Sequence, residues 1–545
     1  MTTTWTIAID WDRDGNFSGQ YDDVTSYVIS AQWFLGEKKP YQDTADDSML
    51  TLVLNNSDKR FSPGNGSSPL SGKLAPFKPV RVQSNDGTTT RIHWVGWIES
   101  IQPKVNVYGE RTVEIVAAGP MQFYKAAETN PDLQENMLTS DIIATLIKEV
   151  VIPPAMTSAW ILERVGNSEL NVTTFLANTT SYSDLDIGIM TLAIAADNWV
   201  SRGGANDAEK DTFDVYRAIK DVVAAERGRF LFSRDGKALF WNRHHLLQGG
   251  AAAATFDNTM TGLEYQYAGL DHFKNEVIVV CHPRAVSASD QEPLWQLEEE
   301  VRIPVGDTRT VHAKYQDGSD NRIGGKDVTL TNVKFRFENQ SKPDESVYGP
   351  NGFTVQDGGV SEGEANVALD AKANSAELKI TNVGTMDAYL TSATLRGRKI
   401  TDFGRMEVQA TDAASIVDYG RRTLRLNLPS VDNFDDAETI AQFELYRRSQ
   451  PRGMAQSLSL RSHGIQGGNQ HAQQLARTLG DKITVTETQT GHQSDSYIVG
   501  EMHKLSASAT LFETTWYLEP APDTYPWKLE VAGRSELDTT TILTY

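Results

Sequence analysis

Apolar and polar residues alternate along this chain in short runs, and turn-forming residues separate the runs. Over residues 77–118 the apolar positions are Val80, Val82, Ile92, Trp94, Trp97, Ile98, Ile101, Val113, Ile115 and Val116. Asn85-Asp86-Gly87 and Tyr108-Gly109-Glu110 interrupt them, since Asn and Gly tolerate the positive φ of tight turns. Period-two alternation between such turns predicts an antiparallel meander curled into a small barrel or sandwich. Residues 481–518 repeat the pattern in Ile483-Thr484-Val485-Thr486, Tyr497-Ile498-Val499-Gly500 and Thr515-Trp516-Tyr517-Leu518. Ahead of the first meander the alternation predicts a strand over 4–10, a strand pair over 24–34 and a strand over 48–54. Phe61 and Leu70 then plug a turn-rich loop onto the core.

Helical spacing replaces the alternation at four places. After Ser140-Asp141, with Ser140 as N-cap, Ile142, Ile143, Leu146, Ile147 and Val150 share one face, and Pro153-Pro154 ends the run. Residues 213–227 turn Val215, Ile219, Val222 and Val223 inward and place Gly228 at C′. They feed a hairpin, Phe230-Leu231-Phe232 and Ala238-Leu239-Phe240-Trp241, around Ser233-Arg234-Asp235-Gly236; Asp-Gly between apolar runs is a strong hairpin signal. A third helix begins at Asn433-Phe434-Asp435-Asp436, with acids at its positive end and Arg447-Arg448 at its negative end. A fourth carries His471, Leu475 and Leu479 and closes at Gly480. Residues 155–204 read as short strands and loops, and 263–280 as strands.

After Pro293 the composition shifts. Glu298-Glu299-Glu300 reads as a solvated edge, and strand-rich segments at 328–337 and 376–400 carry few aromatics. Leu378, Ile380, Ala388, Leu390, Ala393 and Leu395 suit a β-sandwich. The chain therefore reads as multidomain and mainly β with some α (α+β). Residues 1–125 form an N-terminal β domain with the first barrel-like unit, and 126–300 an α/β segment with a helix and hairpin. Residues 301–412 form an inserted sandwich, 413–520 the second barrel-like unit with two helices, and 521–545 a tail.

The length, 545 residues, exceeds what one core organises. A single cysteine, Cys281, excludes an internal disulfide and a Cys-based metal cluster, so folding does not depend on an oxidising compartment. The start of the chain lacks a basic region followed by an apolar stretch, so no secretory signal is expected. Nowhere do about 18 apolar residues run together, so no membrane span is expected. The net charge of −21 argues against wrapping nucleic acid, which requires Lys and Arg at the phosphates. It favours solubility, and an acidic wall lets DNA slide past without sticking.

One motif suggests a ligand. Asp10-Trp11-Asp12-Arg13-Asp14-Gly15-Asn16 matches the start of a calcium loop, with Asp10, Asp12, Asp14 and Asn16 as candidate Ca²⁺ ligands. Ser18, Asp22 and Asp23 offer later oxygens. Tyr21 stands where an EF-hand has its bidentate Glu, and no helix flanks the loop, so a solvated polar turn is the competing reading. No catalytic arrangement emerges. Gly359-Val360-Ser361-Glu362-Gly363 lacks the strand and helix that a nucleophile elbow needs. The Gly66–Lys73 run is one residue too long for a phosphate loop and is followed by Leu74. His244-His245 reads as a polar strand end, and Cys281 and His282 point to opposite faces of a strand. The expectation is a protein that is not an enzyme.

The order of segments resembles the hub or tip proteins at the distal end of phage tails and related injection machines. The resemblance rests on Asp10-Trp11-Asp12-Arg13-Asp14-Gly15, Leu54-Asn55-Asn56-Ser57-Asp58-Lys59-Arg60-Phe61-Ser62-Pro63 and Phe77-Lys78-Pro79-Val80-Arg81-Val82. Gly96-Trp97-Ile98-Glu99-Ser100-Ile101, Ala224-Ala225-Glu226-Arg227-Gly228-Arg229-Phe230-Leu231-Phe232, Gly480-Asp481-Lys482-Ile483-Thr484-Val485 and Gly533-Arg534-Ser535-Glu536-Leu537 extend it. It covers most of the chain outside 301–412. The resemblance implies that the two meanders are two tube domains, and that a homotrimer places six of them in a ring beneath a six-fold tail tube. It implies a tail-tube or distal tail protein on one side, tip, fibre or spike proteins on the other, and DNA passing through the lumen unbound. It also implies residence in the virion tail after assembly in the host cytoplasm. Two other readings are a glycan-binding adhesin using the inserted sandwich, and a cell-wall hydrolase.

Overall fold

In the computed structural model, the described residues are 2–545 apart from 43, 106–110, 130, 151–184, 197–212, 248–249, 268, 270, 319–322, 339–352, 357–363, 467, 507–508, 523–524, 527–540 and 543–545. The alternating runs form a twelve-stranded sheet, with six strands from the N-terminal part of the chain and six from its middle and C-terminal parts. From one edge inward the order is Thr4–Ile9, Pro79–Asn85, Thr90–Lys104, Thr112–Ala118, Met49–Asn55 and Val28–Gly36. It continues through His492–Ser506, Leu511–Pro520, Gly453–His463 and Gly262–Tyr267. Lys482–Glu487 branches antiparallel from His492–Ser506, and Ala254–Phe256 lies parallel beside it.

The two predicted barrel-like units thus share one open sheet. Val28–Gly36 has an outer edge left over after it pairs with Met49–Asn55, and His492–Ser506 occupies that edge from Ser30↔Ser506 to Gly36↔Gly500. A row of unpaired amides and carbonyls is costly when buried, so each half of the sheet satisfies the other's edge. At the far end the N-terminus stitches across, with the Thr3 amide donating to the Ile465 carbonyl at 2.8 Å. One core fills the interior, drawing Trp5, Trp33 and Trp94 from one half and Leu458, Trp516 and Leu518 from the other. Phe61 and Leu70 are buried in it, as the plug reading expected.

A second core lies under helices α1 (Met121–Ala126), α2 (Thr139–Ile147) and α3 (Val215–Glu226), where Tyr124, Ile143, Ile219, Val222 and Phe240 meet. The hairpin Arg229–Phe232 and Ala238–Trp241 follows α3 as expected. Three strands, Met406–Thr411, Glu276–Cys281 and Thr423–Leu428, close this layer with α5 (Phe434–Arg448) against them. α4 (Ala413–Tyr419) and α6 (Asn469–Ala476) complete the described helices. No helix among the described residues is long and apolar enough to cross a membrane.

Between Cys281 and Met406 the chain makes an excursion into two four-stranded sheets. One contains Arg284–Gln296, Ala388–Asp402, Val301–Ile303 and Gly325–Phe337; the other contains Thr308–Lys314, Ser375–Asn382, Glu364–Ala371 and Phe353–Gln356. Leu294, Phe335, Phe337, Leu378, Ile380, Leu390 and Leu395 give it a core of its own. Cys281 and Met406 are register partners, so the excursion leaves and re-enters at neighbouring points.

Local details depart from the sequence reading where a side chain found a tertiary partner. Ser140 lies inside α2; Leu138 is the N-cap and offers no side-chain cap. The Thr139 hydroxyl that begins the helix is spent on Glu226 at 2.8 Å. At the end of α3 the left-handed residue is Arg227 (φ 55), not Gly228. Gly228 is required for proximity, because a Cβ there would sit 2.5 Å from the Trp241 carbonyl. Residues 24–34 form a short 3-10 turn and one strand, not a strand pair. α6 stops at Ala476, before Leu479, and Gly480 (φ 85) serves the turn beyond it. The predicted turn at 108–110, the stop at Pro153-Pro154 and the readings of 155–184 and 197–204 lie outside the described residues, as do most of the C-terminal tail and the Gly359–Gly363 motif.

Where the halves join, Gly36 and Gly500 allow the backbones to touch. Gly36 has φ 83, and an added Cβ would lie 2.4 Å from the Val499 carbonyl; a Cβ on Gly500 would lie 1.9 Å from that of Glu37. Gly500→Ala is therefore expected to destabilise the chain by about 1–3 kcal/mol through overpacking. A drop in the melting temperature without loss of secondary structure at low temperature is the expected result, measured by circular dichroism.

Candidate functional site

The candidate site is the seam between the two halves of the sheet. Its central charge comes from a turn. Arg234, in the loop of the hairpin after α3, inserts its guanidinium under the seam and is only 8 % exposed. Nε donates to Glu501 Oε1 at 2.7 Å and Nη2 to Glu501 Oε2 at 2.6 Å, a two-point pairing that fixes direction as well as charge. Nη1 donates to the Leu475 carbonyl at 2.9 Å, which ties in the end of α6. Glu501 belongs to the strand that crosses the seam and is fully buried. Burial pushes its carboxyl upward, but the Arg234 charge and hydrogen bond outweigh this and hold it at about 2.

Histidines and aromatic rings surround this pair. His503 Nδ1 lies 3.0 Å from Thr514 Oγ1, and its ring stacks on Phe512 at 5.6 Å and on Trp33 at 5.3 Å. His93 Nε2 lies 2.7 Å from Ser84 Oγ, and His471 bridges Thr3 and Ser462 at 3.0 Å each. Burial lowers the pKa of all three, and for His93 the Arg234 charge adds to it. Burial thus disfavours charging of the histidines, which act as hydrogen-bonding spacers, with His503 Nε2 also 3.3 Å from Glu501. Sequence reading missed the whole cluster, because an Arg in a four-residue turn carries no mark that distinguishes it from a solvated one.

The calcium-loop candidates lie near the opposite edge of the sheet. Asp10 is fully buried, and its carboxylate accepts the amides of Asp14 at 3.2 Å and Gly15 at 2.8 Å. Asp14 accepts the Asn16 amide at 2.9 Å, and Asn16 accepts from Ser18. Asp12 turns outward to Lys73 at 2.6 Å, while Asp22 accepts the Gly19 amide at 2.8 Å and Asp23 the Thr25 amide. Among the described residues no three His, Cys, Asp or Glu side chains gather to hold a metal ion.

The remaining sequence candidates also have structural partners. Lys73, at the end of the phosphate-loop-like run, is the cation paired with Asp12, and Ser68 Oγ donates to the Arg60 carbonyl at 2.6 Å. His245 stacks flat on Trp241 at 4.5 Å and meets Asp186 at 2.8 Å. Cys281 is buried in its strand, and burial raises its pKa, which suppresses the thiolate that nucleophilic chemistry needs.

Two outcomes follow from these geometries. The three histidines are depressed in the fold from an ordinary 6.5, and Glu501 from 4.5. The unfolded chain therefore binds more protons below those values, so the seam's stability is full above about pH 6.5 and declines as pH falls. Melting temperatures from about pH 7 down to pH 4 should decrease, and His503→Gln should flatten the upper part of the profile; an unchanged slope would remove His503 from the balance. Asp10→Ala, which orphans two amides, should cost about 1–3 kcal/mol equally in calcium and in chelator. A loss confined to calcium-containing buffer would instead show that the loop holds an ion.

No protein-family model and no curated protein matches the sequence. The chain is similar to the solved structure of a tail protein from Neisseria meningitidis MC58, at TM-score 0.46 and 10 % identity, over 96 % of this chain and 100 % of that one. It is similar to the 43 kDa tail protein of prophage MuSo2 from Shewanella oneidensis, at TM-score 0.44 and 7 % identity, over 95 % and 98 %. It is also similar to an E. coli component of the type VI secretion system, described as resembling T4 tail proteins gp27 and gp5, at TM-score 0.33 and 8 % identity, over 97 % and 86 %.

Proposed function

We propose that this chain is a structural hub or tip protein of a phage tail, and that three copies form a ring joining a six-fold tail tube to the tip. The observation that carries this reading is the division of the twelve-stranded sheet into two six-stranded halves joined edge to edge. Three copies then present six comparable units, which is what a three-fold ring needs in order to meet a six-fold one. The order of segments named in the sequence supports the same assignment. Charge agrees with it: each chain carries −21, so three carry −63, and an acidic bore repels DNA and lets it pass. A tube or distal tail protein lies above such a ring and tip, fibre or spike proteins below. In this reading the role is mechanical.

Native mass spectrometry of the full chain should give a species at three times the chain mass. Micrographs of particles containing it should show three-fold density between the tube and the tip. A chain that stays monomeric at assembly concentrations and lies elsewhere in the particle would sink the proposal.

A second reading concerns the excursion alone. It has its own core and departs from paired strands, the anatomy of an appended module, and so suits recognition of a cell-surface glycan. Binding of the full chain to a glycan array supports that reading if it disappears when the excursion is replaced by a short turn. Silence on the array removes it.

A further inference from the structure

Beside the seam, a cleft of about 360 Å³ opens between the hairpin after α3, the end of α5 and the end of the strand Leu511–Pro520. Its walls are both cationic and aromatic, with Arg243, Arg447, Trp241, Phe443, Tyr446 and Tyr41 among them. Around it six guanidiniums (Arg227, Arg229, Arg243, Arg447, Arg448 and Arg452) face four buried carboxylates. Three of those carboxylates are well matched. Glu37 takes Arg229 at 3.0 Å. Glu444 takes Arg227 at 3.0 Å and Arg448 at 2.9 Å, and these charges outweigh burial to hold it at about 2. Glu519 takes Arg229, Arg447 at 2.8 Å and the Tyr41 amide at 2.6 Å.

The fourth carboxylate does not serve Arg243 well. Glu226 already accepts from the Thr139 hydroxyl at 2.8 Å and from the amides of Ile189 at 3.1 Å and Met190 at 2.9 Å. Its nearest approach to Arg243 Nε is 4.0 Å, outside hydrogen-bond range. Arg243 is only 7 % exposed, and neither Nε nor Nη1 has a hydrogen-bond partner among the described residues. Burial lowers the pKa of this guanidinium, and Glu226 and Asp436 offset the effect only in part. Buried guanidinium N–H groups without an acceptor are expensive to keep, and a chain of net charge −21 has no general need for another cation there.

We propose that this cleft is a binding site for a small ligand carrying a carboxylate or phosphate on an apolar body, with Arg243 taking the oxyanion and Trp241, Phe443 and Tyr446 taking the body. A planar guanidinium prefers such oxygens, and the cleft volume is in the range of small-ligand sites. The ligand's charge also corrects the local excess of cations over carboxylates.

Calorimetric titration of the full chain with phenylacetate and with phenyl phosphate tests this and separates the two sources of oxyanion. One of the two probes is expected to bind saturably at one site per chain. Arg243→Met should weaken that binding at least tenfold while the melting temperature of the free protein holds or rises, because an unpaired buried charge has gone. A purely structural Arg243 would give the reverse, a lower melting temperature. If that variant does not fold, Tyr446→Ala at the half-exposed rim is expected to weaken binding severalfold with the fold intact. Absence of saturable binding by both probes, or wild-type affinity in the variants, overturns the proposal.

Discussion

Everything in this molecule depends on one edge-to-edge pairing, that of Val28–Gly36 with His492–Ser506. Each strand lies at the inner edge of its own half of the sheet, and each would otherwise present a row of unpaired backbone groups. Their pairing turns two sheets with exposed edges into one sheet with a continuous core, and it does so across more than 450 residues of sequence. The two glycines at Gly36 and Gly500 permit that approach, and the two-point Arg234–Glu501 pair lies beneath it. Removing either charge would leave the other buried and uncompensated, so the pair acts more as a lock on one arrangement than as a source of net stability.

The same logic explains why polar side chains are tolerated so deep in this core. His93, His471 and His503 are buried and hydrogen-bonded to hydroxyls, which lets them space the aromatic rings while satisfying their own polar atoms. The ionic cluster around Glu444 and Glu519 joins α3 and α5 to the last long strand through short charged contacts. The α/β layer is thus fixed to the sheet by directional bonds as well as by apolar packing. The excursion between Cys281 and Met406 carries its own core and leaves this frame at a single pair of neighbouring strands.

Much of the architecture was legible in residue order. The alternation of Val80, Val82, Trp94 and Ile115 marked buried strands, the Asp-Gly turn marked the hairpin after α3, and Asn433 marked the start of α5, where it accepts the Asp436 amide at 2.7 Å. Readings failed where a local signal competed with a distant partner. Ser140 resembled an N-cap, yet the helix begins earlier because Thr139 reaches Glu226. Gly228 resembled a left-handed cap, yet its lack of a Cβ serves the nearby Trp241 carbonyl. The Asp10–Asn16 motif showed a sharp turn correctly, but spacing alone does not reveal that Asp12 faces Lys73.

By itself, the sequence determined the class of the fold, the two meanders and the separate sandwich, because periodicity and turn chemistry act over a few residues and need no knowledge of what lies opposite. Only the tertiary structure decided that the meanders share one sheet, that a turn arginine becomes the centre of the seam, and that two guanidinium nitrogens of Arg243 lie buried without a hydrogen-bond partner among the described residues. Those facts depend on which edges and charges meet across hundreds of residues, and strand pairing and ion pairing leave no periodic trace in the chain that makes them.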